Sequence, residues 1–206
     1  MEIKRYKTDL LYSNMYVITE DGHALIVDPC NNTIPAKSLM VDRILLTHEH
    51  YDHISGVNDW KYVASAPVMC SKVCATNIMD PKKNMSKYFN DFCMLQSMIP
   101  VKGFSMAIGD YICKADIIFE NETSFKWQGH TVTLIEIPGH TMGSIGIYID
   151  NSDFFSGDSL LENYNTEVHL PGGSLKKWKE IGEKRIEAIP HGTRIWPGHF
   201  EGFVKT

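Results

Sequence analysis

Val41-Asp42-Arg43-Ile44-Leu45-Leu46 runs directly into Thr47-His48-Glu49-His50-Tyr51-Asp52-His53. The first segment reads as a buried strand, and the second places four candidate metal ligands, His48, His50, Asp52 and His53, within six consecutive positions. Histidines and an aspartate this close gain nothing as core and repel one another on protonation. Imidazole nitrogen and carboxylate oxygen together suit zinc, iron or manganese. A ligand loop just past a strand end is rigidly held, so the two segments point to a metal site built on a sheet.

Working outward, three further segments place a short polar group beside a strand-like apolar run. Pro138-Gly139-His140 follows Val132–Ile137, Ser156-Gly157-Asp158 follows Phe154-Phe155, and Pro197-Gly198-His199 follows Thr193–Trp196. A glycine precedes each candidate ligand, which lets the backbone turn sharply and present the side chain at a strand end. Asp28, in a turn before Pro29, reads as a structural hydrogen-bond acceptor or as the partner of a ligand histidine rather than as a ligand.

The ordered set HEHYDH, PGHT, SGDS and PGHF resembles the metallo-β-lactamase superfamily, and most of all its glyoxalase II-like branch. Asn14–Ile18 and Leu25–Pro29 resemble the first hairpin of that family and its aspartate-containing turn. Met79–Ser86 and Leu170–Ser174 also resemble that branch. The resemblance implies an α/β fold, a four-layer αββα sandwich of two mixed β-sheets flanked by helices. It implies one metal ion held by His48, His50 and His140, a second held by Asp52, His53 and His199, and Asp158 bridging. Two divalent ions are the expected cofactors, zinc foremost, with iron or manganese also suited.

The expected function is that of a metal-dependent hydrolase in which a metal-bridging hydroxide cleaves a small acyl compound, a thioester or an ester. Such a centre lowers the pKa of bound water to about 7 and stabilises the oxyanion formed on attack. Asp52 is expected to be catalytic as well as a ligand, orienting the proton of the nucleophile. Relatives that bind glutathione commonly carry arginine near where Glu167 stands here, and they add a C-terminal helical domain. The expectation is therefore a thioester or ester in general. Two other readings stand beside it: a mono-iron oxidoreductase similar to the persulfide dioxygenases, and a non-catalytic metal-bearing binding module.

Composition restricts the partners. The 206 residues suit one domain, 1–206, and a formal net charge of −5 argues against a nucleic-acid binder, which needs clustered Lys and Arg. A small-molecule substrate is the expected partner, with no nucleic acid and no membrane; the oligomeric state is not specified by the sequence. No apolar stretch has signal-peptide or membrane-spanning length, so the expected location is cytoplasmic. Five cysteines without CxxC spacing suit reduced thiols, with Cys70 and Cys74 facing one way on a helix.

Strands are expected at about 2–7, 15–20, 24–28, 42–47 and 67–70, and again at about 123–127, 131–137, 145–150, 153–156 and 193–196. Residues 174–189 predict a helix capped by Ser174, with Leu175, Trp178, Ile181 and Ile186 on its apolar face and Pro190 stopping it. The stretch 71–106 is rich in methionine and aromatics, among them Met79, Met85, Phe89, Phe92, Met98, Phe104 and Met106. It reads either as adaptable core or as a lid over the metal cleft. Tyr51 reads as packing or as substrate-facing. His23, His130, His169 and His191 read as surface turns.

Overall fold

Alternation along the second strand sets the layers. Met15 and Val17 point to one side of the sheet and Tyr16 and Ile18 to the other, and all four are buried. A strand buried on both faces needs a layer on each side. The computed structural model describes residues 1–30, 38–95 and 109–206 and supplies both.

The first sheet has the order β1 (Glu2–Lys7), β2 (Asn14–Glu20), β3 (His23–Val27), β4 (Met40–Leu45), β5 (Val68–Ser71) and β6 (Ile117–Phe119). Its first three strands are antiparallel neighbours, and β3 to β6 run parallel. The second sheet runs from β7 (Glu122–Trp127) through β8 (His130–Glu136), β9 (Ile145–Ile149), β10 (Asp153–Gly157) and β11 (Arg194–Pro197) to β12 (Phe203–Val204). Tyr16, Leu25 and Leu45 of the first sheet pack against Leu134, Ile147 and Phe155 of the second. Tyr16 meets Phe155 edge to face with ring centroids 5.2 Å apart.

Outside the first sheet, α2 (Val57–Ala64) and α3 (Lys72–Asn77) cover Ile26, Ile44 and Val68. Trp60 anchors this layer: it is fully buried, and its indole N–H donates to the Cys30 carbonyl at 2.9 Å. Outside the second sheet, Trp178, Ile186 and Ile189 cover Phe154 and Ile195. These layers are the expected αββα sandwich.

The helix expected over 174–189 is real but broken in its winding. Ser174 caps it, its hydroxyl accepting from the Lys177 N–H at 3.2 Å. A π turn over Trp178–Gly182 separates α5 (Leu175–Lys177) from α6 (Glu183–Glu187). Gly182 lies against the Pro138 carbonyl and the Trp178 ring, so the winding changes where the helix packs onto the His140 loop. Leu175 is exposed, contrary to the apolar face expected for it.

Two strands escaped the sequence reading. β6 has three residues and β12 two, too short for alternation to register. Cys70 lies on β5 whereas Cys74 lies on α3, so the two share a buried core but not a helix. His23 and His130 open strands instead of occupying turns, and pair with Asp42 and Asp150. Among the described residues, no helix is long and apolar enough to cross a membrane.

Candidate metal centre

Strand direction gathers the site. β8 and β10 are both antiparallel to β9, and β11 is parallel to β10, so β8, β10 and β11 end on the same edge of the second sheet. The segments after them carry His140, Asp158 and His199. In the first sheet β3 and β4 run parallel, and Asp28 and the 47–53 segment follow their carboxyl ends. His48 and His50 lie in the loop after β4; Asp52 and His53 sit on α1 (Tyr51–Ile54), the short helix that follows.

Two clusters result. His48, His50 and His140 have donor atoms within 4.8 Å of one another, and so do Asp52, His53 and His199. Asp158 lies between them: one oxygen is 3.6 Å from His140 Nε2 and 3.3 Å from His199 Nε2, and the other is 3.5 Å from His53 Nε2. All seven residues singled out from sequence lie close together at these strand ends, and Asp28, His48 and His53 form a third, overlapping group.

Hydrogen bonds behind the rings decide which nitrogens face inward. The Pro171 carbonyl can only accept, so His50 Nε2, 3.0 Å away, donates to it and Nδ1 is the nitrogen that faces the cluster. The Glu167 carbonyl, 2.8 Å from His140 Nδ1, fixes that ring in the same way and leaves Nε2 facing the cluster. These two inward nitrogens face each other at 3.1 Å, where either a proton on one ring or a metal cation between them would satisfy both lone pairs. Two nitrogens on a tetrahedral zinc with bonds of 2.0–2.1 Å lie roughly 3.3–3.4 Å apart, so the spacing fits. His48 Nε2, His53 Nε2 and one oxygen of Asp158 are buried with no hydrogen-bond partner, which a buried polar atom rarely tolerates.

Electrostatics agree. Burial would raise the Asp158 carboxyl, but His199 and His53 hold it well below the usual carboxylate range. Burial would lower His53, but Asp52 and Asp158 drive it well above its ordinary value, and the same opposition takes His199 up to about 10. Burial lowers His140 to about 4 despite Asp158 beside it. The surroundings of His53 and His199 thus favour positive charge, while burial holds His48 and His140 as neutral imidazoles, the form that can ligate a metal.

Asp28 has the supporting role expected of it. One oxygen accepts from the Thr47 N–H at 2.7 Å; the other accepts from the Thr47 hydroxyl at 2.6 Å and from His53 Nδ1 at 3.1 Å. The Thr47 hydroxyl, having donated to Asp28, accepts from His48 Nδ1 at 3.1 Å. A single carboxylate therefore orients a histidine from each cluster.

The reason for the glycines differs from the one expected. Only Gly157 of the three has a left-handed backbone, with φ +50°. A side chain on Gly139 would strike Trp178, and one on Gly198 would lie 2.1 Å from the Asp158 carboxylate. Close approach, more than turning, excludes a Cβ there.

Sequence reasoning missed Glu49 and Asn14. Glu49 is fully buried and accepts from Asn77 Nδ2 at 2.7 Å and from the Thr141 hydroxyl at 2.8 Å. Asn14 Nδ2 donates to the Pro197 and Phe200 carbonyls at 3.0 and 2.8 Å, and the Asn14 N–H donates to the Gly198 carbonyl at 2.7 Å, fastening the His199 segment. A charged residue flanked by two inward-facing histidines was a readable sign for Glu49; nothing local marked Asn14.

The clusters form the floor of a cavity of about 560 Å³. Its walls are largely apolar: Leu11 and Tyr12 on one side, Met85, Phe89 and Phe92 from the 71–106 stretch, and Leu161, Tyr164, Leu170 and Phe200 on the other. That stretch thus supplies wall as well as core; Met98, Phe104 and Met106 lie outside the described residues. Tyr51 packs edge to face against Phe89 and Tyr111 and does not line the cavity. His169 and His191 are exposed.

An αββα sandwich with histidine and carboxylate clusters at its strand ends defines a metalloprotein class. The chain matches the family model described as the metallo-beta-lactamase superfamily over residues 8–199, and it belongs to that superfamily. It is 24% identical to a probable metallo-hydrolase, YqgX, of Bacillus subtilis over 97% of this chain and 90% of that protein. It is 22% identical to a hydroxyacylglutathione hydrolase of Methylobacillus flagellatus over 90% of this chain, but spans only 61% of that relative. The crystal structure of the BLEG-1 B3 metallo-beta-lactamase superposes with a TM-score of 0.81 at 26% identity, covering 98% of this chain and 94% of that one.

Proposed function

We propose that this chain is a dinuclear metal-dependent hydrolase of thioester or ester bonds. His48, His50 and His140 would hold one ion, Asp52, His53 and His199 the other, with Asp158 shared. The observation that carries the reading is the pair of convergent donor sets sharing one aspartate at the floor of a single cavity. Bound there, two divalent ions supply a Lewis acid for the acyl oxygen and make water acidic enough to attack near neutral pH.

The residues supply the rest. Burial would raise the Asp52 carboxyl, but His53 and His199 keep it below its ordinary range, so it is ionised and can accept a hydrogen bond that orients the proton of the attacking water. Pro171, Glu167, Thr47 and Asp28 fix the imidazoles before substrate arrives, and this preorganisation is where the protein's contribution lies. The apolar walls exclude bulk water from the carbonyl under attack. Hydrolysis then yields a carboxylate and a thiol or alcohol.

Elemental analysis of the purified protein, paired with a panel of thioesters and esters, tests this. About two zinc, manganese or iron ions per chain with turnover on the panel is the expected result. A single iron with oxygen consumption on a persulfide would replace the reading with a dioxygenase. Full metal loading with no turnover would leave a binding module.

A further inference from the structure

Among the described residues, thirteen non-glycine positions have a left-handed backbone, and their identities divide sharply. Nine are Asp, Asn, Ser or Gln, short polar types or their homologue, most of which accommodate this conformation at turns. The other four are Leu11 (φ +50°), Tyr12 (φ +58°), Met85 (φ +67°) and Phe200 (φ +66°). All four line the cavity above the metal clusters. Bulky side chains in strained backbone persist only where the surroundings impose them, and they concentrate at ligand-binding sites.

Each is visibly held. The Thr8–Ser13 turn that carries Leu11 and Tyr12 closes through the Thr8 N–H to the Ser13 carbonyl at 2.8 Å, and the Ser13 hydroxyl donates to the Asp52 carbonyl at 2.9 Å. The Phe200 carbonyl accepts from Arg5 at 2.5 Å and from Asn14 at 2.8 Å. Its ring stacks on Tyr164, with centroids 4.8 Å apart and planes 3° from parallel. Asn84, which precedes Met85, donates to the Tyr111 carbonyl at 2.8 Å. Tyr12 and Phe200 nonetheless remain about half exposed, at 49% and 50%. The strain thus presents apolar surface to the cavity instead of burying it.

Charge narrows the occupant. Among the described residues no Lys or Arg lines the cavity, while Glu167 does, and its carboxyl is lowered by bonds from the His169 backbone and ring. The Lys7 ammonium lies over the Tyr12 ring, 4.8 Å from its centroid, and is not part of the lining. Away from the metal floor, an anionic tail would meet the Glu167 carboxylate with no Lys or Arg among the described lining residues to receive it.

We infer that Leu11, Tyr12, Met85 and Phe200 form the recognition surface for an uncharged apolar acyl chain, so that the preferred substrate is a neutral medium-chain acyl thioester or ester, not a glutathione conjugate. This rests on the hydrolase reading for the cleavage step alone; the binding preference is separable from it.

Uncleavable thioethers test it. S-alkyl-N-acetylcysteamines from methyl to octyl are titrated calorimetrically into the metal-loaded full chain. Affinity should rise with chain length, by roughly fourfold per methylene at full burial. Phe200→Gly should flatten that rise while the melting temperature holds or increases, because glycine adopts φ +66° without strain. Tyr12→Asn, which also tolerates the left-handed region, should flatten it independently. Affinity that does not change with chain length, tighter binding of S-octylglutathione than of the octyl N-acetylcysteamine, or an undiminished rise in both variants would each overturn the inference. If the thioethers bind as expected but no acyl counterpart is cleaved, the hydrolase reading fails and the recognition surface stands.

Discussion

The Thr141 hydroxyl donates to Glu49 across 92 residues of chain, at 2.8 Å. Each partner adjoins metal-site residues: Glu49 sits between His48 and His50, and Thr141 follows His140. The bond therefore fixes the separation of the two loops that make up the first cluster. The other carboxylate oxygen reaches Asn77 on α3 at 2.7 Å, so the helical layer is tied in as well.

Glu49→Ala should consequently damage stability and metal retention together. It would leave the buried Asn77 amide short of an acceptor, at about 1–3 kcal/mol, while the Thr141 hydroxyl keeps Ser144 Oγ as a partner at 2.9 Å. Glu49→Gln keeps an acceptor for Asn77 and should lose less. Urea unfolding and metal content of both variants check this. An alanine variant as stable and as metal-rich as the parent would mean that the loops hold their spacing without this bond.

Asp28 acts on both clusters through Thr47 and His53. Asp28→Asn removes the charge but preserves a residue type that tolerates the backbone at this position, φ +52°. Metal affinity, measured by competition with a chelator, should fall about 10–100-fold, the usual effect of losing a group that orients a ligand histidine. Unchanged affinity would reduce Asp28 to a structural turn residue.

Gly198→Ala should be worse than its size suggests. The added methyl would lie 2.1 Å from an Asp158 oxygen and 2.8 Å from a His53 ring carbon, displacing the shared aspartate and a ligand of the second cluster at once. The expected outcome is a folded protein that binds fewer than two ions per chain. Circular dichroism with elemental analysis separates this from unfolding, and a variant with full metal content would show that the segment has room to shift.

The candidate ligands were legible for a physical reason: four of them fall within six consecutive residues, and each of the others follows a glycine at a strand end, where the local pattern alone marks it. The sandwich was legible because its core strands are long enough for a pattern to show: Asn14–Glu20 carries the apolar run Met15–Ile18, and His130–Glu136 alternates at Val132 and Leu134. What holds the ligands was not legible. Asn14 fastens a segment 183 residues away, and Tyr16 donates to the Pro197 carbonyl across 181. Such pairs exist only once the sheets have packed. The π turn at Trp178–Gly182 was hidden likewise, because its cause is the neighbouring Pro138 loop and not its own composition.

The thiols should be bystanders. All five cysteines are buried. Burial pushes the Cys74 thiol well above its ordinary range, Cys113 up to about 12 and Cys93 up to about 11, so little thiolate is available for reaction at neutral pH. A chromogenic disulfide reagent should therefore find no rapidly reacting thiol in the native protein and five on denaturation. Cys74→Ser puts a hydroxyl into the core beside Cys70 and Ile78, at about 1–3 kcal/mol if it finds no partner. Its melting temperature should drop while turnover per folded, metal-loaded chain stays at the parent value. A rapidly modified native thiol, or turnover lost at full folding and full metal content, would instead place sulfur in the chemistry of the site.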